Sequence, residues 1–243
     1  TIFGITLISL MGVASLTPAF PEIAKEFKIT PKEVSLLVTF FTLPGIFLTL
    51  ILGILADRFG RKKIIVPSLI LFAIAGTLCF FVKNFHLLVI LRFFQGIGAA
   101  ALGSLNITII GDLYSSTDRG KAIGYNSSVI SICTASYPII GGLLASIGWN
   151  FPFLLPSLAF IVAFMVLTKL NSPEPEEFLN LKNYFKEVAK ILINKNIIGL
   201  LSLSILTFII LYGPYLTFLP FIIRDIFKKQ PYIIGIIMSF SSI

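Results

Sequence analysis

Long apolar segments alternate with short polar segments along this chain. Most of the apolar segments hold about 20 residues, the length that crosses the ~30 Å hydrocarbon core of a bilayer as a helix. The pattern predicts seven spans, at about residues 2–18, 34–56, 64–82, 87–110, 122–147, 153–167 and 197–222. A further apolar run holds only about 12 of the ~20 residues required before the chain stops at Ile243, and the chain begins at Thr1 within an apolar run. We therefore expect an all-α multi-span membrane protein, and a fragment of a longer chain.

Composition supports this class and argues against others. Hydrophobic residues make up 56% of the 243 residues and the mean hydropathy is +0.98, more apolar surface than a soluble domain needs. The net charge of +8 lies in loops between spans, so we expect no nucleic-acid partner. Cys79 and Cys133 are isolated within apolar spans and are expected to pack there. The sequence has no catalytic triad, metal-ligand spacing or phosphate-binding loop, so we predict that the protein is not an enzyme and has no cofactor or metal.

Charge in the loops predicts the orientation in the membrane. One acid and four bases lie within residues 57–63, and a short loop this basic stays on the cytoplasmic side. This orientation places the N-terminus and a polar linker at 170–196 in the cytoplasm. We predict a multi-pass protein of the cell membrane, in contact with lipid.

The basic loop combines four residues at fixed spacings, Gly53, Asp57, Gly60 and Arg61. Gly53 lies one helical turn before Asp57, so both face the same side of the second helix, where a neighbouring helix can approach closely. Gly60 tolerates a positive φ and allows a turn, after which Arg61 can reach a carboxylate elsewhere. A simpler interpretation is that any short cytoplasmic loop collects Lys and Arg. The whole run, Gly-Ile-Leu-Ala-Asp-Arg-Phe-Gly-Arg-Lys-Lys, nevertheless resembles the loop signature of the major facilitator superfamily.

This resemblance implies a gating role for the loop. The resemblance implies that Arg61 forms an ion pair with Asp112, at the cytoplasmic end of the fourth span. It also implies that Lys62 and Arg119 belong to the same group of gating residues, which we call the gating set. A surface ion pair is worth little by itself, about 0–1 kcal/mol, but a pair that exists in one conformation biases a two-state equilibrium.

The fourth span carries Arg92, the only charge that we place within a bilayer-crossing segment. A central Arg costs about 2.5–3.5 kcal/mol on insertion scales, so we expect its side chain to face a polar interior. A structural pairing with backbone carbonyls is the alternative. Arg92, Gln95 and the small residues after them are similar to the fourth-helix motif of the superfamily, which implies proton coupling and substrate binding. Gly96 and Gly103 are expected to share one small-residue face for close helix packing.

The first span contains a motif similar to that of the twelve-span drug antiporters, formed by Gly12, Pro18 and Pro21. Its prolines are expected to end or bend the helix at the outer mouth, although prolines terminate helices in many proteins.

The fifth span resembles the motif that marks exporters within the superfamily. Pro138, Gly141 and Gly142 remain in place, enough to bend the helix and admit a close neighbour. Cys133 and Tyr137 stand where the motif has glycines, and these departures weaken the assignment to export.

We expect three parts in the chain: a six-helix bundle at 1–169, a cytoplasmic linker at 170–196 with an amphipathic helix at 184–193, and the start of a second bundle at 197–243. The resemblance then implies a secondary active transporter that works by alternating access. Our leading hypothesis is proton-coupled efflux of small, largely apolar compounds. The alternatives are a facilitator or importer of a metabolite such as a sugar or organic acid, and a receptor or scaffold without flux.

The expected partners are a small-molecule substrate and protons, and the full-length protein is expected to be a monomer. No Asp or Glu lies within a predicted span, so the proton carrier is Glu22 at the outer edge of the first span, lies outside this chain, or does not exist. The aromatic residues proposed to line a cavity are Phe40, Phe41, Phe93, Phe94, Tyr212 and Tyr215.

Overall fold

The computed structural model describes residues 1–170 and 194–240, and all the regular structure within those ranges is helical. Seven helices within those ranges are long and apolar enough to cross a membrane. They are α1 Ile2–Phe27, α2 Pro31–Phe59, α3 Arg61–Phe81, α4 Phe85–Leu113, α5 Thr117–Ile147, α6 Phe151–Lys169 and α7 Ile197–Phe227, and a shorter helix, α8, covers Pro231–Phe240. The predicted all-α, multi-span architecture is confirmed.

Helix α1 departs most from the prediction. The segment between the predicted spans 2–18 and 34–56 is helical from Phe20 as far as Phe27. Pro18 lies in a short 3₁₀ turn, Thr17–Ala19, and Pro21 lies in the first turn of the next helical piece, where a missing N–H costs no hydrogen bond. The two prolines therefore interrupt α1 rather than end it: the first α-helical piece stops at Ala14 and the second begins at Phe20.

Helix α4 lies at the centre of the first six helices. It packs most extensively against α2 and α3, while α1 packs along α5 and α3 packs along α6. The largest fully buried apolar side chains include Phe20, Phe72, Phe153, Leu37 and Leu102. Exposed apolar side chains of α6, such as Ile161 and Phe164, suit contact with lipid tails.

Glycines let the central helices approach backbone to backbone. A Cβ added to Gly96 of α4 would lie 2.1 Å from the carbonyl oxygen of Phe41 in α2. A Cβ on Gly98 would lie 2.6 Å from the backbone nitrogen of Phe72 in α3. Gly103 is exposed and a Cβ there would meet nothing within 4 Å among the described residues, so within them the expected close packing is made at Gly96 and not at Gly103.

The ends of α1 and α7 have the same local structure. Lys28 ends α1 with φ 54° and Lys228 ends α7 with φ 53°, both in the left-handed region. In each case the next helix begins three residues later with a proline, Pro31 or Pro231. The likeness supports a second bundle beginning at α7, which stays a prediction.

The predicted linker at 170–196 lies mostly outside the described residues, as does the whole of its amphipathic helix at 184–193. Residues 241–243 also lie outside them.

Candidate functional site

Charged side chains gather at both ends of the helices. We call the end with Asp57, Arg61 and Asp112 the Arg61 end, and the end with Glu22 and Arg224 the Glu22 end. An apolar cavity lies between them.

Arg61 connects three helices at its end of the molecule. Gly60, with φ 95°, separates α2 from α3, as the sequence predicts. The Nη2 atom of Arg61 lies 3.0 Å from Oδ1 of Asp57, and its Nε pairs with Oδ2 of Asp112. The predicted contact between Arg61 and Asp112 is confirmed, and Asp57 joins it.

The three charges of this cluster each sit at an unfavourable helix end. Asp57 and Asp112 lie in the last turns of α2 and α4, where the helix dipole is negative, and Arg61 opens α3, where it is positive. Each charge is therefore destabilised alone, whereas Arg61 stabilises both carboxylates and is stabilised by them. Because all three are partly exposed, the cluster can separate into water at modest cost.

The other residues of the predicted gating set have different surroundings. Arg119 donates a hydrogen bond of 2.5 Å to the carbonyl of Gly111 and so holds the connection between α4 and α5. Lys62 is half-buried. A Cβ added to Gly53 would meet nothing within 4 Å, so the close helix contact expected at Gly53 is not made within the described residues.

Arg92 is buried within the first six helices, with 1% of its surface exposed. Its Nε donates to the carbonyl of Leu37 at 3.2 Å and its Nη1 donates to Oε1 of Gln95 at 2.7 Å. Its guanidinium carbon lies 4.2 Å from the ring centroid of Phe41, a cation–π contact. The structure therefore places Arg92 in the contact between α2 and α4. It pairs there with a backbone carbonyl, as the alternative interpretation expected.

Phe41 joins two of the motifs, a contact that sequence reasoning missed. Its ring lies under Arg92, its carbonyl faces Gly96, and a Cβ added to Gly12 would lie 2.4 Å from its Cζ atom. The first-span and fourth-span motifs therefore meet on one side chain of α2. Phe41 was expected in a cavity and lies in the core instead.

The cavity lies where α1 and α5 face α7 and α8, and its volume is about 620 Å³. It is lined by Leu10, Val13, Ala14, Thr134, Pro138, Thr207, Ile210, Leu211, Tyr212, Tyr215, Leu216 and Met238. None of these described lining residues is charged. Of the six aromatic residues expected to line a cavity, Tyr212 and Tyr215 do so, both within the π-helical stretch Leu211–Phe218 of α7.

The cavity is closed toward the Glu22 end by backbone contacts at the fifth-span motif. A Cβ on Gly141 would lie 1.8 Å from the carbonyl oxygen of Ser15, and a Cβ on Gly142 would lie 2.5 Å from that of Pro231. On α8, a Cβ on Gly235 would lie 2.1 Å from the carbonyl oxygen of Pro138. The predicted close neighbour is present, and it is both α1 and α8.

Comparison with known proteins decides the family. The family model described as the Major Facilitator Superfamily matches residues 2–243. The chain belongs to the major facilitator superfamily.

Two curated relatives and one solved structure show how this superfamily member compares with others. It is 33% identical to the bacillibactin exporter of Bacillus subtilis (strain 168) over 156 residues, 61% of this chain and 39% of that protein. It is 31% identical to multidrug resistance protein 1 of the same organism over 186 residues, 74% of this chain and 48% of that protein. The matches thus span less than half the length of either relative.

The fold is similar to that of a bacterial homolog of the human lysosomal transporter Spinster, crystallised in an inward-facing and unoccupied conformation. The TM-score is 0.77 with 21% identity, over 99% of this chain and 58% of the other. At this identity the likeness shows the fold alone. The family and its relatives indicate a transporter rather than an enzyme, and the seven apolar helices fit a multi-pass membrane protein.

This major facilitator protein also contains a buried polar network that sequence reasoning missed. The Thr6 hydroxyl donates to Oδ1 of Asn126 at 2.5 Å, and Nδ2 of Asn106 lies 2.6 Å from the Thr6 hydroxyl and 3.2 Å from the same Asn126 oxygen. All three side chains are buried, and they join α1, α4 and α5. The sequence signal is that Asn106 and Asn126 are amides within predicted apolar spans, and nothing in the sequence shows which partners they meet.

We predict that Asn126→Ala destabilises the folded protein by about 1–3 kcal/mol, because it removes an acceptor that two buried groups share. The matched control is Ser127→Ala. Ser127 is exposed, and its hydroxyl bonds only within its own helix, to the carbonyl of Ile123 at 3.0 Å. The measurement is the thermal unfolding midpoint in detergent, and equal midpoints for the two variants would contradict a structural role for the network.

Proposed function

We propose that this chain is the first part of a proton-coupled exporter of small, largely apolar compounds, a multidrug-type antiporter that works by alternating access. The proposal divides the protein into a six-helix bundle at 1–169, a linker at 170–196 and the start of a second bundle from 197. The observation that carries it is the cavity between α1, α5, α7 and α8, whose described lining is apolar apart from the hydroxyls of threonine and tyrosine. Relatives named for bacillibactin export and multidrug resistance support the direction of transport.

The cavity suits an uncharged, partly aromatic compound. Burial of apolar surface stabilises a bound molecule by about 25 cal/mol per Å², and the absence of a charged group among the described lining residues avoids an unpaired charge beside it. Tyr212 and Tyr215 offer ring faces for stacking, and the Tyr215 hydroxyl is held by the carbonyl of Met238 at 2.7 Å. The substrate class therefore follows from shape and hydrophobicity rather than from a charge.

Alternating access requires that the two ends of the cavity open in turn. We assign the Arg61 end to the cytoplasm, because its loop carries four bases, and the Glu22 end to the cell exterior. Glycine contacts close the exterior end in this conformation. In the outward-open conformation the free face of Gly53 and Asp57 would receive the second bundle, while Arg61 holds Asp57 and Asp112 in place.

Proton coupling is proposed from the likeness to drug antiporters. Arg92 and Gln95 are the candidates within the first bundle, since a buried guanidinium responds to any change of charge nearby. A metabolite facilitator without coupling is the second candidate, and the lack of an acidic side chain among the described cavity residues favours it.

The test expresses the complete gene in bacteria that lack their own multidrug exporters. We expect lower accumulation of apolar fluorescent dyes, and Tyr212→Ala should reduce efflux because it removes an aromatic wall of the cavity. Ile161→Ala is the control, since Ile161 is an exposed residue of α6 away from the cavity.

A protonophore separates the two candidates. If export is coupled, collapse of the pH gradient raises dye accumulation to the level of cells without the gene. If efflux continues unchanged, coupling is wrong, and inward flux of a sugar or organic acid without dye export would favour the facilitator.

A further inference from the structure

We propose that Glu22 and Arg224 form an exterior latch, an ion pair between the two bundles that holds the cavity closed at the Glu22 end. This deepens the proposed function, on which it rests, and gives Glu22 a gating role in place of the proton-carrier role that the sequence left open.

The pair joins parts of the chain that are distant in sequence. Nη1 of Arg224, on α7, pairs with Oε1 of Glu22, on α1, across 202 positions. Of the ion pairs among the described residues, it is the one that links α7 to the first six helices, because the others join Asp57, Arg61 and Asp112 or lie within α5. It is therefore placed to respond to motion between the two bundles.

The pair lies beyond the cavity on both helices that carry it. The cavity residues of α1 are at 10–14, before Glu22, and those of α7 are at 207–216, before Arg224. The glycine contacts around Gly141 and Gly142 lie between the cavity and the pair. Separation of α1 from α7 at this end, which would open the cavity to the exterior, must break the pair.

Glu22 faces a separate recess on the far side of that closure. This recess has a volume of about 650 Å³, and its charged lining residues are Glu22, Lys25, Glu26 and Lys28. Glu22 does not line the cavity. A proton carrier must exchange protons with the cytoplasm as well as with the exterior. The Glu22 carboxylate instead lines the recess at the exterior end and is paired with Arg224.

The strength of the pair suits a latch that must open in each cycle. Both side chains are about one-quarter exposed, so water replaces much of the lost interaction when they separate. The neighbouring glycine contacts are uncharged, so they do not fix how α1 is aligned along α7. The opposite charges of Glu22 and Arg224 favour one alignment of these two helices. Loss of the pair should therefore shift the balance of conformations without unfolding the protein.

The test measures access to the cavity from outside intact cells and needs no substrate. In the complete protein, Cys79 and Cys133 are replaced by alanine and Leu10, in the cavity lining, is replaced by cysteine. A membrane-impermeant thiol reagent is then applied. We expect Glu22→Gln and Arg224→Gln each to increase the rate of labelling about fivefold, which corresponds to about 1 kcal/mol in the conformational equilibrium, the upper end of the range for a partly exposed pair.

Two variants make the result specific to the pair. The exchange of both charges, Glu22→Arg with Arg224→Glu, should return labelling toward the rate of the parent. Lys25→Gln is the matched control, because Lys25 is an exposed charge of the same helix and recess, and it should leave labelling unchanged. Equal labelling in the parent and both single variants, at equal surface abundance, would overturn the latch.

A cross-link provides a second measurement that does not depend on the charge exchange. Glu22→Cys with Arg224→Cys, joined by a bifunctional thiol reagent with a cleavable spacer, should keep the cavity residue protected from the impermeant reagent until the spacer is cleaved. Access that persists in the cross-linked form would overturn the latch. Dye efflux is scored separately, so labelling that changes as expected in a protein without efflux would contradict the proposed function and leave the latch standing.

Discussion

Gly96→Ala is expected to remove most of the folded protein from the membrane. The new Cβ would lie 2.1 Å from the carbonyl oxygen and 2.8 Å from the carbonyl carbon of Phe41, and these backbone atoms cannot rotate away as a side chain can. Overpacking of a well-packed core costs about 1–3 kcal/mol and sometimes more, and a clash of two backbones belongs at the upper end of that range. Helices α2 and α4 would have to separate, and Arg92 would then lose its contacts with Leu37 and Phe41.

Helix α4 also supplies the matched control for that experiment. Gly103→Ala adds the same methyl group where no described residue lies within 4 Å, so abundance should stay close to that of the parent. The measurements are membrane abundance and the thermal unfolding midpoint in detergent. If Gly96→Ala and Gly103→Ala behaved alike, the close approach of α2 and α4 would be wrong.

Arg61→Ala and Asp57→Asn are expected to abolish transport while the protein remains in the membrane. Arg61 offsets two carboxylates that sit at the negative ends of α2 and α4, so its removal leaves Asp57 and Asp112 near each other without a cation. The first bundle would then lose the geometry that Asp57 needs to meet the second bundle. Because all three charges are partly exposed, the fold should tolerate the change.

The conservative variant tests whether geometry or charge alone matters. Arg61→Lys keeps the charge but has a single amine that cannot reproduce the two separate contacts of the guanidinium, so we expect transport between that of the parent and that of Arg61→Ala. Lys63→Ala is the control, since Lys63 is exposed on the same loop. Normal transport in both Arg61→Ala and Asp57→Asn, at matched abundance, would rule out a gating role for this cluster.

The sequence by itself determined the class of the protein and the approximate places of its spans. Apolar length decides whether a helix can cross a bilayer, and this property belongs to each segment alone. The turn at Gly60 was likewise predictable, because it depends on the local backbone. The contact between Arg61 and Asp112 came from resemblance to a family motif, not from physical reasoning about spacing.

Only the tertiary structure decided which side chains meet between helices. In a membrane helix both the lipid-facing and the buried faces are apolar, so the hydrophobic pattern does not report how the helix is rotated. That is why the burial of Arg92 against Phe41, the network of Thr6 with Asn106 and Asn126, and the pair of Glu22 with Arg224 could not be predicted. Each depends on the rotation and depth of helices far apart in the chain, which packing of the whole set of helices determines.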